Sequence, residues 1–137
     1  MSEKLCALRK IGGGMSEKVL WTNPSPTSNF GTQTISLTES MASYKYLKFR
    51  IRPSTTNGQG NEIQIIISVE DFKETIIPAV TQYNTHLTIG GRNGNLEYTR
   101  AVWYKSDTEI YIETAYRTST VNTLQSAVIP LEIIGMR

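Results

Sequence analysis

Few residues in this chain carry reactive side chains. His86 is the single histidine and Cys6 the single cysteine. Neither has a like neighbour, so a zinc site built from several thiolates, or an internal disulfide, is excluded. No Gly-x-Ser-x-Gly accompanies His86 to supply a nucleophile. The run Thr85-His86-Leu87-Thr88-Ile89 reads as a strand with the imidazole on the face opposite Leu87 and Ile89. Glu70 and Asp71 are adjacent; in a strand they point to opposite faces, and a turn at Asp71-Phe72-Lys73-Glu74 leaves them at a solvated corner rather than paired for acid–base work. Gly58-Gln59-Gly60 lacks the Gly-Lys-Ser/Thr ending of a phosphate loop, and Gly90-Gly91-Arg92-Asn93-Gly94 precedes a strand instead of a helix. The expectation is a protein that is not an enzyme, with no metal site and no cofactor.

Binding is easier to motivate. Lys105-Ser106-Asp107-Thr108 separates two periodic runs, and a two-residue Ser-Asp loop would set Trp103 opposite Ile110 and Ala101 opposite Ile112 on an inner face. The outer face then pairs Tyr104 with Glu109, Val102 with Tyr111 and Arg100 with Glu113. Tight turns prefer Asn-Gly or Asp-Gly, so a longer loop stays open. Tyr98, Arg100, Tyr104, Tyr111 and Glu113 are the expected ligand or interface residues, because rings can stack on sugars and neighbouring charges can bond hydroxyls. Three roles remain open for them: cover of a half-buried sheet face, a subunit interface, or a ligand site. A second strip, Lys48, Arg50 and Arg52, is basic, and Glu62 and Glu70 on the following strand are available to neutralise it.

The elements that must position these groups are strands. The chain holds 15 Ile, 6 Val and 17 Thr, so 38 of its 137 residues are β-branched, a composition suited to pleated sheets. Tyr44–Arg52 alternates, with Leu47, Phe49 and Ile51 on one face; Glu62–Glu70 does so with Ile63, Ile65, Ile67 and Val69. Further strands are expected at Val19–Thr22, Gln33–Thr38, Thr75–Val80, Thr85–Ile89 and Val128–Ile134, and Glu39–Ser43 is the best candidate for a short helix. Asn23-Pro24-Ser25-Pro26, Ser28-Asn29-Phe30-Gly31, Asn57-Gly58-Gln59-Gly60-Asn61 and Gly90-Gly91-Arg92-Asn93-Gly94-Asn95 read as turns or loops. Trp21 closes a short strand and should cap the core. The fold expected is all-β: a two-sheet antiparallel β-sandwich, with a jelly roll as one form of it.

The length of 137 residues suits one domain, and 14 basic against 12 acidic residues leave a net +2. That near-neutral balance argues against a nucleic-acid partner. No apolar run approaches membrane-spanning length, and the N-terminus has no apolar signal-peptide core. Synthesis in a reducing cytoplasm without a signal peptide is expected, with no membrane partner. Gly12-Gly13-Gly14 sets off a flexible lead-in, 1–18, from a single domain, 19–137; Met1-Ser2-Glu3-Lys4 recurs as Met15-Ser16-Glu17-Lys18, so Met1 or Met15 could start the natural chain.

Val19-Leu20-Trp21-Thr22-Asn23-Pro24-Ser25-Pro26-Thr27-Ser28-Asn29-Phe30, Gln33-Thr34-Ile35-Ser36-Leu37 and Tyr44-Lys45-Tyr46-Leu47 resemble a group of small phage and prophage proteins of gut Firmicutes, encoded near tail or fibre genes. Leu8-Arg9-Lys10-Ile11-Gly12-Gly13-Gly14 and Ile129-Pro130-Leu131-Glu132-Ile133-Ile134-Gly135 are similar to that group too, whereas Asn57–Asn95 lies outside the resemblance. The group defines no active site. The resemblance implies a virion-associated, homo-oligomeric β-domain of tail, fibre or baseplate, commonly a trimer. Its partners would be other virion proteins or a host surface glycan. A stand-alone carbohydrate-binding module is the alternative.

Overall fold

The computed structural model describes residues 16–54, 62–75, 86–93, 96–117 and 123–137. Among these residues nine strands, β1 (Glu17–Thr22), β2 (Gln33–Ser36), β3 (Tyr46–Ser54), β4 (Ile63–Ser68), β5 (Leu87–Asn93), β6 (Leu96–Ser106), β7 (Glu109–Ile112), β8 (Tyr116–Arg117) and β9 (Ala127–Met136), form two antiparallel sheets. One runs β1-β9-β3-β4; the other runs β2-β7-β6-β5, with β8 extending the β7 side of β6. The chain is an all-β sandwich. β1 pairs with β9 and β2 with β7, whereas β3–β4 and β5–β6 pair as sequence neighbours.

The alternating strands fold as their periodicity requires. Leu47, Phe49 and Ile51 of β3 are buried, and Ile63, Ile65 and Ile67 of β4 pack on the core from the sheet's margin. Val69 belongs to the next element, a single helical turn, α1 (Val69–Phe72). Ser68 caps it by accepting from the Asp71 N–H, and Glu70 and Asp71 sit exposed in its first turn, the solvated corner expected. Phe72, at its end, lies between the sheets, 5.9 Å from Phe49 and 6.3 Å edge-on from Tyr104. The expected helix at Glu39–Ser43 is a 3-10 turn, Met41–Ser43.

The boundaries differ in places. β1 starts at Glu17, within the expected lead-in; residues 1–15, most of the Thr75–Val80 strand and the Asn57–Asn61 loop lie outside the described residues. Gly90, Gly91 and Arg92, expected in a loop, are part of β5. Gly91 is where the sheets approach: a Cβ there would meet Pro53 Cα at 3.4 Å. Pro130 sits in a central strand next to a bulge, where the pairing shifts between Arg50 and Ile51. Asn23 fills that gap, donating from its backbone N–H to Leu131 O and from its side chain to Pro130 O.

The largest departure is in β6. The turn consists of Asp107-Thr108, not Ser106-Asp107, and the register pairs Ser106 with Glu109, Tyr104 with Ile110, Trp103 with Tyr111 and Val102 with Ile112. The shift between Tyr104 and Ser106 leaves Lys105 as the extra residue. Register slips exchange the two faces of a strand. Val102 and Tyr104 therefore point inward and Trp103 points out, the reverse of the expected arrangement.

Candidate functional site

The corrected register divides the five expected binding residues. Tyr98 and Arg100 are buried between the sheets. Tyr104 is half-buried on the inner face, its hydroxyl donating to Asp107 Oδ1 at 2.7 Å. That bond holds the Tyr104 phenol above its ordinary value and the Asp107 carboxyl below its own. Glu113 lies just past β7, and its backbone is what the fold uses: its N–H donates to Ala101 O and its carbonyl accepts from Arg100. The Glu113 side chain, half-buried, lines a cleft beside Thr32 and Thr114, and of the four residues on the strands Tyr111 alone faces outward.

Arg100 is a structural clamp. Its Nε donates to Val128 O at 2.7 Å, one terminal nitrogen to Glu113 O at 2.9 Å, and the other to Gln125 O and Ala127 O at 3.1 and 2.9 Å. The guanidinium also lies 5.1 Å from the centre of the Phe30 ring, which Trp21 meets edge-on at 6.1 Å. Trp21 thereby plugs the core as expected. Burial without a carboxylate lowers the Arg100 pKa to about 10. Val128, whose carbonyl the arginine holds, has a left-handed backbone with φ of 54°, which a β-branched residue adopts only under constraint.

What the strands bring together on the outer face of the five-stranded sheet is a different set. Thr34 of β2 pairs with Tyr111 of β7, Tyr111 with Trp103 of β6, and the Leu87–Val102 pair sets His86 beside Trp103. The ring centroids of Trp103 and Tyr111 are 5.7 Å apart, and those of Trp103 and His86 5.2 Å. Trp103 and Tyr111 are half-buried and His86 is exposed. Such tilted contacts at this spacing hold rings in a fixed row. Beside the row, strand alternation sets Ala101, Thr99 and Thr88 on the same face, with Gly90 opposite Thr99, so a strip of small side chains borders the aromatic one. Lys105 reaches Thr34 Oγ1 at 3.4 Å on the flank. The indole Nε1 of Trp103 is buried and, among the described residues, without a hydrogen-bond partner.

Two of the three charges in the basic strip on the other sheet meet carboxylates. Lys48 pairs with Glu17, Arg50 with Glu62 and Glu132, and Arg52 donates to Pro26 O. Of the two acids expected to serve it, Glu62 does so, while Glu70 stands on α1. A cleft of about 430 Å³ lies between the 3-10 turn and α1, lined by Tyr44, Lys45, Val69, Glu70 and Lys73. Its aromatic ring is already occupied: Gly135 lies against the Tyr44 ring, and Arg137 stacks 4.5 Å from its centre. The Tyr44 hydroxyl is spent as well, donating to Glu39, which also binds Lys18.

Sequence reasoning missed Trp103 and His86 as members of the site. The available signal was the pair of large rings, Trp103 and Tyr111, eight residues apart around a turn: on one face they stack, and the alternative register separates them. Among the described residues no cluster of His, Cys, Asp and Glu could hold a metal ion, and no helix is long and apolar enough to cross a membrane. The chain matches no protein-family model and no curated protein sequence.

Proposed function

We propose that this protein is a non-catalytic recognition module of a phage or prophage virion, and that it binds a host surface glycan on the outer face of its five-stranded sheet. The observation that carries this reading is the Tyr111–Trp103–His86 row, three rings held in sequence across neighbouring strands. The row of tilted rings, 57° between His86 and Trp103 and 41° between Trp103 and Tyr111, offers aromatic surface to the C–H faces of sugar units. The bordering threonines and Lys105 provide hydroxyl and ammonium groups within reach of sugar hydroxyls. The virion setting rests on the resemblance of 8–14, 19–30, 33–37, 44–47 and 129–135 to tail- and fibre-associated proteins.

The test is a glycan-array screen followed by calorimetry on the strongest hit. Trp103→Ala and Tyr111→Ala should each abolish the signal, while Tyr104→Ala, whose ring faces the core, should retain it wherever the protein folds. Unchanged binding in the first two variants, each verified as folded by circular dichroism, would remove the platform as the site. A stand-alone carbohydrate-binding module would use the same rings; it differs in that the protein would not be found in purified particles.

A further inference from the structure

We infer that the protein pairs with a second copy of itself through β4, edge to edge, extending the four-stranded sheet into a continuous eight-stranded one. A sheet's terminal strand has unpaired backbone donors and acceptors along one side, and proteins usually blunt such edges with charge, proline, bulges or shortness. Among the described residues, the terminal strands β1, β2 and β5 are blunted. β1 carries Glu17 and Lys18 and is bulged between Val19 and Trp21. β2 is four residues long, and β5 contains Gly90, Gly91 and Arg92. β4 has none of these devices. Its six residues, Ile63-Gln64-Ile65-Ile66-Ile67-Ser68, include no charge, proline or glycine, and its register with β3 is unbroken from Tyr46–Ser68 to Ile51–Ile63.

Ile66 adds an apolar reason. It is 54% exposed, and it ends a row that crosses the outer face of the sheet from Val19 through Ile134 and Lys48. A two-fold axis through the middle of β4 makes the Ile66 side chains of the two copies direct or diagonal neighbours, continuing the row across the junction. Glu62, at the start of the strand, is already held by Arg50, so pairing covers no bare charge there.

The occupant is a second β4 because that pairing closes. Antiparallel pairing of identical strands is isologous and ends at two copies. Open-ended growth would need β4 to meet β1 of the next molecule, and the charges and bulge of β1 oppose this. The two-fold axis of an antiparallel pair is normal to the sheet, so the second sheets of both copies lie on one side, and both aromatic rows face the same way. That last consequence rests on the function proposed for the row; the pairing itself does not.

The test is sedimentation of the full chain from about 1 to about 100 micromolar, the range in which weak interfaces populate, with hydrogen exchange at both ends of the range. The expected result is a two-fold mass at high concentration, with exchange at β4 amides slowed as concentration rises and exchange at β1 amides unaffected. Ile66→Lys should weaken association at least tenfold without changing the circular-dichroism spectrum, while Val19→Lys, on the far edge of the same sheet, should leave it intact. A monomer throughout, a three-fold mass, or an Ile66→Lys variant that still dimerises as the wild type does would overturn the proposal, whatever the glycan experiments show.

Discussion

Replacing Arg100 with methionine keeps much of the side-chain volume and removes the guanidinium. Four carbonyls, those of Glu113, Gln125, Ala127 and Val128, lose their donor. Hydrogen bonds to a charged group contribute roughly 1.5–3 kcal/mol each, a gross loss of about 6–12 kcal/mol. Against this stands the cost of burying the charge. The guanidinium pKa, lowered to about 10, lies roughly 2.5 below its ordinary value, equivalent to about 3 kcal/mol. The Glu113 and Gln125 carbonyls lie on partly buried bonds and can recruit water, whereas those of Val128 and Ala127 sit on buried ones. The net loss should therefore be at the lower end, about 3–5 kcal/mol, a large share of the total stability of a domain. In urea, with a slope of about 2 kcal/mol per molar, the unfolding midpoint should fall by about 1.5–2.5 M. Tryptophan fluorescence provides the readout, because Trp21 packs on the Phe30 ring that the arginine covers. Arg100→Lys should recover less than half of the loss, since one ammonium cannot span four carbonyls. A methionine variant with a wild-type midpoint would refute the view that the arginine organises this half of the core.

Gly135→Ala places a Cβ 2.6–2.8 Å from three atoms of the Tyr44 ring; we expect a loss of about 1–3 kcal/mol and a Tm lower by roughly 3–10 °C in calorimetry, relieved in a Tyr44→Ala background. Phe49→Ala, at a side chain 1% exposed, should cost about 3–5 kcal/mol, but Ile65→Ala, at the sheet's margin, only about 1–2 kcal/mol; equal midpoint shifts in denaturant would contradict that ranking. The Tyr104–Asp107 bond lowers the acid and raises the phenol, so its stabilisation is complete between about pH 4 and pH 10. It is lost below, as Asp107 protonates through its depressed folded value, and above, as Tyr104 ionises through its elevated one. Asp107→Asn should flatten both limbs of a stability-against-pH profile, and identical limbs in the variant would dismiss the bond as a contributor.

The strands were legible where one face is apolar and the other polar, as in Leu47, Phe49 and Ile51 against Lys48, Arg50 and Arg52. The same rule failed at Arg100-Ala101-Val102-Trp103-Tyr104, because both faces of that run carry large side chains and the arginine is the residue that charge alone would place outside. Its acceptors lie 13 to 28 residues further along the chain, so no local pattern could announce them. The bulge at Lys105 then hid the register. Gly90-Gly91 misled for a related reason: glycine marks a loop when it supplies a turn, but here it allows two sheets to touch at Pro53. The site inherited these errors, since Tyr111 was placed on the correct face and its partner Trp103 on the wrong one.

The position of β9 has a consequence for how the molecule is made. It follows the other eight described strands, yet it lies between β1 and β3 in the interior of its sheet. A nascent polypeptide still holding β9 inside the ribosome has β1 without its partner strand and Arg100 without the carbonyls of Gln125, Ala127 and Val128. This sheet can close only once β9 has emerged, and a chain cut short before β9 would leave β1 without its partner strand.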